Sequence, residues 1–402
     1  MPEGADVPTE ALPLKGLRVL DLTQIYNGPY ATFLMAMAGA DVIKIEPPGG
    51  EHLRRRDARS GAGVPFAMLN ANKRSVSLNL KAPWGRELFR EMARTADVVA
   101  ENYAPGVMDR LGLSYEELKK HNPRIVYASG SGYGDSGPYR DYPAMDLTVQ
   151  AMSGVMSITG FPENPPVKSG AALCDFFGGV HLYGAILTAL FRRERCGLGS
   201  KIDVAMLDAV YPALASNIGM TFGERHDIPL RTGNRHGGLS LCPYNVYPTS
   251  DGYVAIICNN DKHFLSLLDA MQRPDLKNDP RMASARARVA HMAEVDDMIA
   301  AWSSRFQRTH LFALLLQHRV PSAPVRDLYE VIADPHMLER GMLLKIEHPQ
   351  YGEITVCRSP LNYEGIGQAP YRASPAYGAD NEAIYAGELG YDLEKLREEG
   401  IV

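Results

Sequence analysis

Leu17-Arg18-Val19-Leu20-Asp21-Leu22 is a short, mostly apolar run, and the pattern on its C-terminal side decides the fold. Gly28-Pro29 opens a helical pattern through Phe33-Leu34 and Met37 that stops at Gly39. A second apolar run, Asp41-Val42-Ile43-Lys44-Ile45-Glu46, is closed by Pro47-Pro48-Gly49-Gly50. Strand, helix and strand at this spacing read as one βαβ unit. The alternation continues outward. Residues 75–80, 97–101 and 124–129 read as further strands, and Pro83 near a first turn starts a helix to Arg94. Such a series predicts an α/β protein with a doubly wound, mostly parallel sheet, whose ligands bind beyond the carboxyl ends of the strands.

Farther along, residues 144–158, 176–195 and roughly 205–223 read as helices, with Lys201-Ile202-Asp203-Val204 as a strand. The pattern breaks over 224–252 into sequence rich in Gly, Pro, Arg and Asn. A second unit begins at Tyr253-Val254-Ala255-Ile256-Ile257-Cys258 and continues as amphipathic helices to about residue 318. Val320-Pro321-Ser322-Ala323-Pro324-Val325 reads as a linker, and residues 343–347 and 353–357 as two late β-like stretches. The expected division is therefore a large domain over 1–225, a small domain over 226–325, and a C-terminal segment over 326–402.

A chain of 402 residues exceeds one ordinary core, in keeping with two domains. Its net charge of −5 argues against nucleic acid or a membrane surface as main partner, so an anionic ligand needs local cations. Two local groups qualify, His52-Leu53-Arg54-Arg55-Arg56-Asp57-Ala58-Arg59 and Lys73-Arg74, although a charge run is more often a solvated face. Five scattered cysteines with no C-x-x-C pair fit a reducing compartment and argue against zinc. Met1-Pro2-Glu3-Gly4-Ala5-Asp6 lacks the apolar core of a secretory signal, and no apolar run reads as a membrane span. A cytoplasmic enzyme is the expectation.

Nucleotide chemistry lacks its signatures. Leu22 is followed by Thr23-Gln24-Ile25-Tyr26-Asn27-Gly28 rather than G-x-G-x-x-G, and there is no G-x-x-x-x-G-K-[ST]. The informative segment is Gly170-Ala171-Ala172-Leu173-Cys174-Asp175-Phe176-Phe177-Gly178-Gly179, which leads into a long helical run. A carboxylate at a helix start is favoured in its charged form and suits a nucleophile, and the glycines suit close approach of a substrate. The competing reading is a plain helix N-cap, for which Asp is a preferred residue. Cys174 with His181 as base is a further nucleophile pairing, set against a buried thiol beside an unrelated histidine.

Several segments, in order, resemble the class III CoA-transferases and the related 2-methylacyl-CoA racemases. They are Leu20-Asp21-Leu22-Thr23 with Gly28-Pro29, Gly39-Ala40-Asp41-Val42-Ile43-Lys44-Ile45-Glu46, and Asn72-Lys73-Arg74-Ser75. Glu101-Asn102-Tyr103-Ala104-Pro105-Gly106 with Arg110-Leu111-Gly112, and the Asp175 segment with Gly197-Leu198-Gly199, complete the set. The resemblance implies a Rossmann-like large domain with a parallel sheet built from both chain ends, a smaller inserted α+β domain, and two chains interlocked as a homodimer. It implies an acyl-CoA and a small carboxylic acid as substrates, with no permanently bound cofactor and no metal. By position Asp175 is the nucleophile; Ile25, Tyr26, Leu78, Lys81, Asn102, Tyr103 and Arg110 are CoA contacts; Gly237 and Gly238 match the family's glycine loop over the substrate.

Two departures sort the family's branches. Where the racemases have Gly-His-Asp, this chain has Ala144-Met145-Asp146, and methionine cannot carry a proton. A transferase is therefore expected ahead of a racemase or a non-catalytic acyl-CoA-binding protein, with Asp146 either orienting the Asp175 neighbourhood or capping its own helix. Tyr26 and Pro47 replace the glutamine and arginine of formyl-CoA transferase, which makes oxalate doubtful as acceptor. Arg140, Arg231, Arg235 and His236 lie in predicted loops suited to a carboxylate, such as that of a small dicarboxylic acid.

Overall fold

The computed structural model describes residues 12–56, 61, 63–223, 229–366 and 369–402. The N-terminal Met1–Asp6 stretch, the Asp57-Ala58-Arg59 end of the charge run and the expected boundary at 225 lie outside them.

Six strands form one wholly parallel sheet: β1 (Arg18–Asp21), β2 (Asp41–Glu46), β3 (Arg74–Ser77), β4 (Val98–Glu101), β5 (Val126–Ser131) and β6 (Ser200–Ala205). Their spatial order is β3-β2-β1-β4-β5-β6. The direction of winding reverses between β1 and β4, which is where open α/β sheets place a ligand crevice. Neighbouring residues along each strand point to opposite faces. Leu20, Ile43, Val99 and Tyr127 enter a core with Leu88, Phe89 and Met92 of the Pro83–Thr95 helix. Val19, Val42, Val98 and Val126 enter a second core with Phe33 and Leu34 of the Asn27–Met37 helix and Leu182, Ile186 and Leu190 of the Leu173–Cys196 helix. Both faces are covered, and β1 to β5 are buried along nearly all of their length.

Among the described residues the C-terminal segment contributes no strand to this sheet, which corrects the expectation that both chain ends build it. Its two β-like stretches, β10 (Leu343–His348) and β11 (Gly352–Cys357), pair with each other as an antiparallel hairpin. What returns to the sheet is side chains. Ile384, Tyr385, Leu393 and Leu396 complete the first core. At the edge strand β3, the Ser75 N–H donates to Asp380 at 2.7 Å and the Ser77 N–H to Asn381 at 2.9 Å. An exposed row of edge N–H groups is thereby satisfied without a further strand.

Contacts divide the chain into two compact units. One runs through Val149 and takes in Ala171–Val210 and Asp334–Val402; the other comprises Gln150–Gly170 and Tyr211–Ala333. The second unit carries an antiparallel sheet in the order β7 (Tyr244–Thr249), β8 (Gly252–Ile257), β9 (Ser322–Pro324). Tyr247, Val254 and Ile256 pack there against Phe264, Leu267, Ile299, Trp302 and Leu311. β7 and β9 arise in stretches expected to be irregular and a linker. Each contains proline, Pro248 and Pro324, and each lies at a sheet edge, where a missing N–H is tolerated.

Candidate active site

At the reversal point, the loop after β1 meets the loop after β4. Asn102 joins them, accepting the Gln24 N–H at 2.7 Å and donating from its own amide to the Gln24 carbonyl at 2.8 Å. The first loop is anchored beneath by Asp21, which accepts from the Thr23 N–H at 2.9 Å, the Thr32 hydroxyl at 2.8 Å and the Lys73 ammonium at 2.8 Å. Asp21 and Lys73 are fully buried. Burial opposes ionisation of Asp21, but the Lys73 and Lys44 ammoniums outweigh it and hold the carboxyl below its usual range. Lys44 also donates to the Thr23 carbonyl at 2.8 Å. Within this loop Ile25 has a φ of +65°, a left-handed conformation uncommon for a β-branched residue. Its N–H donates to Glu51 at 3.3 Å.

Asp175 faces the same place. It is the third residue of the Leu173–Cys196 helix, only 8% exposed, and it lines a cavity of about 630 Å³. Ile25, Asn27, Asn102, Tyr103, the Gly130-Ser131-Gly132 loop and Met145 line the cavity with it. Asp175 is not the helix cap. Asp146, 29 residues earlier, accepts the Cys174 N–H at 2.8 Å and the Asp175 N–H at 3.3 Å. The capping is thus supplied from another helix, and the Asp175 carboxyl is left to the cavity. This arrangement alters the expected charge. Burial, and then the neighbouring Asp146 carboxylate, push the Asp175 carboxyl up to about 7, against an ordinary 3.8. The first-turn N–H groups that were expected to favour the anion are engaged by Asp146.

The glycines after Asp175 also serve a different end from the one expected. A methyl group at Gly178 would lie 2.1 Å from the Asn27 amide nitrogen, and one at Gly179 would lie 2.5 Å from the Asn27 carbonyl. They admit the neighbouring Asn27–Met37 helix, not a substrate.

Of the positions taken from the resemblance, Ile25, Asn102 and Tyr103 share the Asp175 cavity. Tyr26 lies beside it, stacked on Phe176 with ring centroids 6.0 Å apart. Leu78 is packed in the first core. Lys81 is exposed before the Pro83–Thr95 helix. Arg110 is exposed, and its guanidinium comes within 3.2 Å of where a side chain on Gly106 would begin; Arg140 approaches the same point to 3.9 Å. Gly237 lines a different cavity of about 410 Å³ within the second unit, and Gly238 donates its N–H to His236 at 3.2 Å.

The charge runs divide by partner. Arg54 forms a two-point pair with Glu46, at 2.9 and 2.8 Å, and lies over the Phe66 ring. Lys73 is engaged by Asp21, and Arg74 by Asp41 and Glu388. Among the described residues of the first run, His52 and Arg56 line the Asp175 cavity. In the second unit Arg231 donates to the Phe161, Ser157 and Asn164 carbonyls, and Arg235 pairs with buried Asp296 at 2.7 Å. A Cys174 nucleophile is disfavoured, because the thiol is fully buried and burial pushes it up to about 12. His181 instead bonds the Phe177 carbonyl on its own helix, at 2.8 Å.

Asn27 escaped sequence reasoning as a site residue. It is 4% exposed and lines the cavity, yet among the described residues neither its amide oxygen nor its amide nitrogen has a hydrogen-bond partner.

Comparison with known proteins gives the arrangement a context. The family model for CoA-transferase family III matches residues 14–381. Formyl-CoA:oxalate CoA-transferase of Streptomyces coelicolor is 37% identical, over 96% of this chain and 97% of its own. Succinate–glutarate CoA-transferase of Agrobacterium fabrum is 36% identical, over 95% and 97%. The crystal structure of a CAIB/BAIF family protein from Brucella suis superposes with a TM-score of 0.83 at 35% identity, covering 93% of this chain and 99% of that one.

Proposed function

This chain belongs to CoA-transferase family III, and on that premise we propose that Asp175 relays CoA from an acyl-CoA donor to a small dicarboxylic acid. The observation that carries this reading is an uncapped, deeply set carboxyl in a cavity at the reversal point of the sheet. In its ionised form Asp175 attacks the thioester carbonyl, the C–S bond breaks, and a mixed anhydride and CoA thiolate result. The thiolate then attacks the aspartyl carbonyl, releasing the donor acid and leaving an aspartyl-CoA thioester. The acceptor carboxylate attacks that thioester to form a second anhydride with thiolate release. Thiolate attack on its acceptor-derived carbonyl yields the new acyl-CoA and restores Asp175. Each step exchanges one acyl bond for another, so water must be kept out, and burial of Asp175 supports this.

CoA is read as lying across the Asn102-Tyr103 loop, with Ile25 and Tyr26 beside the reacting end and Arg110 and Arg140 around Gly106 for its phosphates. Lys81 and Leu78 keep their assignment from the resemblance alone, as do Gly237 and Gly238 as the substrate loop. His52 and Arg56, facing the cavity, suit the second carboxylate of the acceptor. Relatives named for oxalate and glutarate support a dicarboxylate. The racemase reading is weakened by Met145, which lines the cavity at the position matching that branch's histidine. A cytoplasmic homodimer is proposed from five free cysteines and the exposed Phe176, Phe177, Val180 and Phe191 along the Asp175 helix.

The test is trapping. Enzyme mixed with acyl-CoA is treated with hydroxylamine and digested, and mass spectrometry locates the hydroxamate. It is expected on Asp175; exchange proceeding with the label elsewhere would sink the assignment.

A further inference from the structure

We propose that Glu101 is a positioning residue for CoA: its carboxylate fixes the turn after β4 in the shape that presents Asn102 and Tyr103 to the CoA arm. This rests on the acyl-CoA reading of the Asp175 cavity. Glu101 ends β4 and is only 5% exposed, after the apolar run Val98-Val99-Ala100. One of its carboxylate oxygens accepts the Tyr103 N–H at 2.9 Å, two residues on. From beneath, the Ser129 hydroxyl and the Tyr127 phenol also donate to it. Both stand on the neighbouring strand β5, where Ser129 is the register partner of Glu101.

An ionised carboxylate only accepts, and its two oxygens have room for all three donors at once. Asp135, in the loop after β5, and Lys201, on β6, face the group with one charge of each sign, and they pair with each other. The carboxyl is nonetheless costly in this place, since burial pushes it up to about 7, where an apolar side chain would fill the strand end without that penalty.

The bond to Tyr103 gives the carboxylate a use. Asn102 holds the Gln24 backbone, and the Tyr103 phenol bonds the Gln24 side chain while the residue lines the cavity with Asp175. Those side-chain bonds join the turn to the loop after β1; the Glu101 bond sets the backbone of the turn itself. Ala104-Pro105-Gly106 follow directly, and Arg110 and Arg140 both approach Gly106. A shift of the Tyr103 backbone therefore moves the ring in the cavity and the approach to both arginines together, without touching Asp175. The expected loss is in CoA affinity rather than in chemistry.

The test compares Glu101→Met, similar in length but with no oxygen to accept, with Glu101→Gln, which keeps an oxygen for the Tyr103 N–H. CoA itself is the binding probe, measured by calorimetry, and a CoA thioester that supports exchange is the kinetic one. Urea unfolding reports the fold of each variant. In Glu101→Met the dissociation constant for CoA and KM for the thioester should rise about tenfold, the worth of a hydrogen bond to a charged group, with kcat within about twofold. Glu101→Gln should stay within about threefold of the unmodified enzyme in both. A purely structural carboxylate would lower the urea midpoint of Glu101→Met and leave CoA binding and KM unchanged. That outcome overturns the proposal, as does a fall in kcat at constant KM. Should Glu101→Met not fold, Glu101→Val, β-branched and suited to a strand end, is read in the same way. A folded Glu101→Gln that loses CoA affinity about tenfold overturns the proposal by itself. An unmodified enzyme that neither binds CoA nor exchanges it would instead sink the transferase reading, and this inference with it.

Discussion

Replacing Asp175 by asparagine should stop turnover and, at neutral pH and above, make the folded protein more stable. The carboxyl is held up at about 7, against an ordinary 3.8, by burial first and by the Asp146 carboxylate second. A carboxyl raised in the folded state binds its proton more tightly there than in the unfolded chain, so ionising it favours unfolding. The penalty is absent below about pH 4, grows between there and about pH 7, and is complete above. A displacement from 3.8 to about 7, at about 1.4 kcal/mol per pH unit, amounts to about 4 kcal/mol as an upper figure. Asparagine is uncharged at every pH and nearly the same shape, so Asp175→Asn should recover much of it. The assay is urea unfolding at fixed protein concentration at pH 4.5 and pH 8. The variant's advantage should be only about 1 kcal/mol at pH 4.5, with its midpoint clearly higher at pH 8. A variant no more stable than its parent at pH 8 would refute the account of a desolvated, charge-opposed nucleophile.

The same perturbation shapes catalysis: kcat/KM for CoA exchange should rise with pH through a limb near 7 as Asp175 ionises. Asp146→Asn keeps an oxygen to accept the Cys174 N–H but removes the opposing charge, so that limb should move to lower pH; an unmoved limb would exclude Asp146 as a cause. Lys73→Met leaves Asp21 charged and buried without its ion pair, and should cost about 3–5 kcal/mol in urea unfolding, partly recovered by also making Asp21→Leu. Asn102→Ala removes both bonds that join the two loops at the reversal point. It should raise KM for the CoA thioester about tenfold with kcat little changed, measured by steady-state kinetics.

The parallel sheet was legible because its strands are covered on both faces and carry adjacent Val, Leu and Ile residues, in β1 and β2 above all. Asp175 stood out by its place between an apolar stretch and glycines, and the ordered segments named the family that the comparisons show. Strands β7 and β9 were hidden by proline, whose meaning depends on whether a strand lies at an edge. The C-terminal segment looked ready to extend the sheet, yet it covers a face and satisfies an edge with side chains. The charge runs gave no sign of which cations were already paired. In this chain, local pattern marked the strands and helices of the parallel sheet, because period and turn chemistry act between near neighbours, and the ordered family segments singled out the candidate nucleophile. Tertiary structure alone decided that nucleophile's charge and the unmet amide of Asn27. Asp146 is 29 residues from Asp175, and Gly130 is 103 residues from Asn27; desolvation and hydrogen bonding depend on such distances in space, which sequence order does not record.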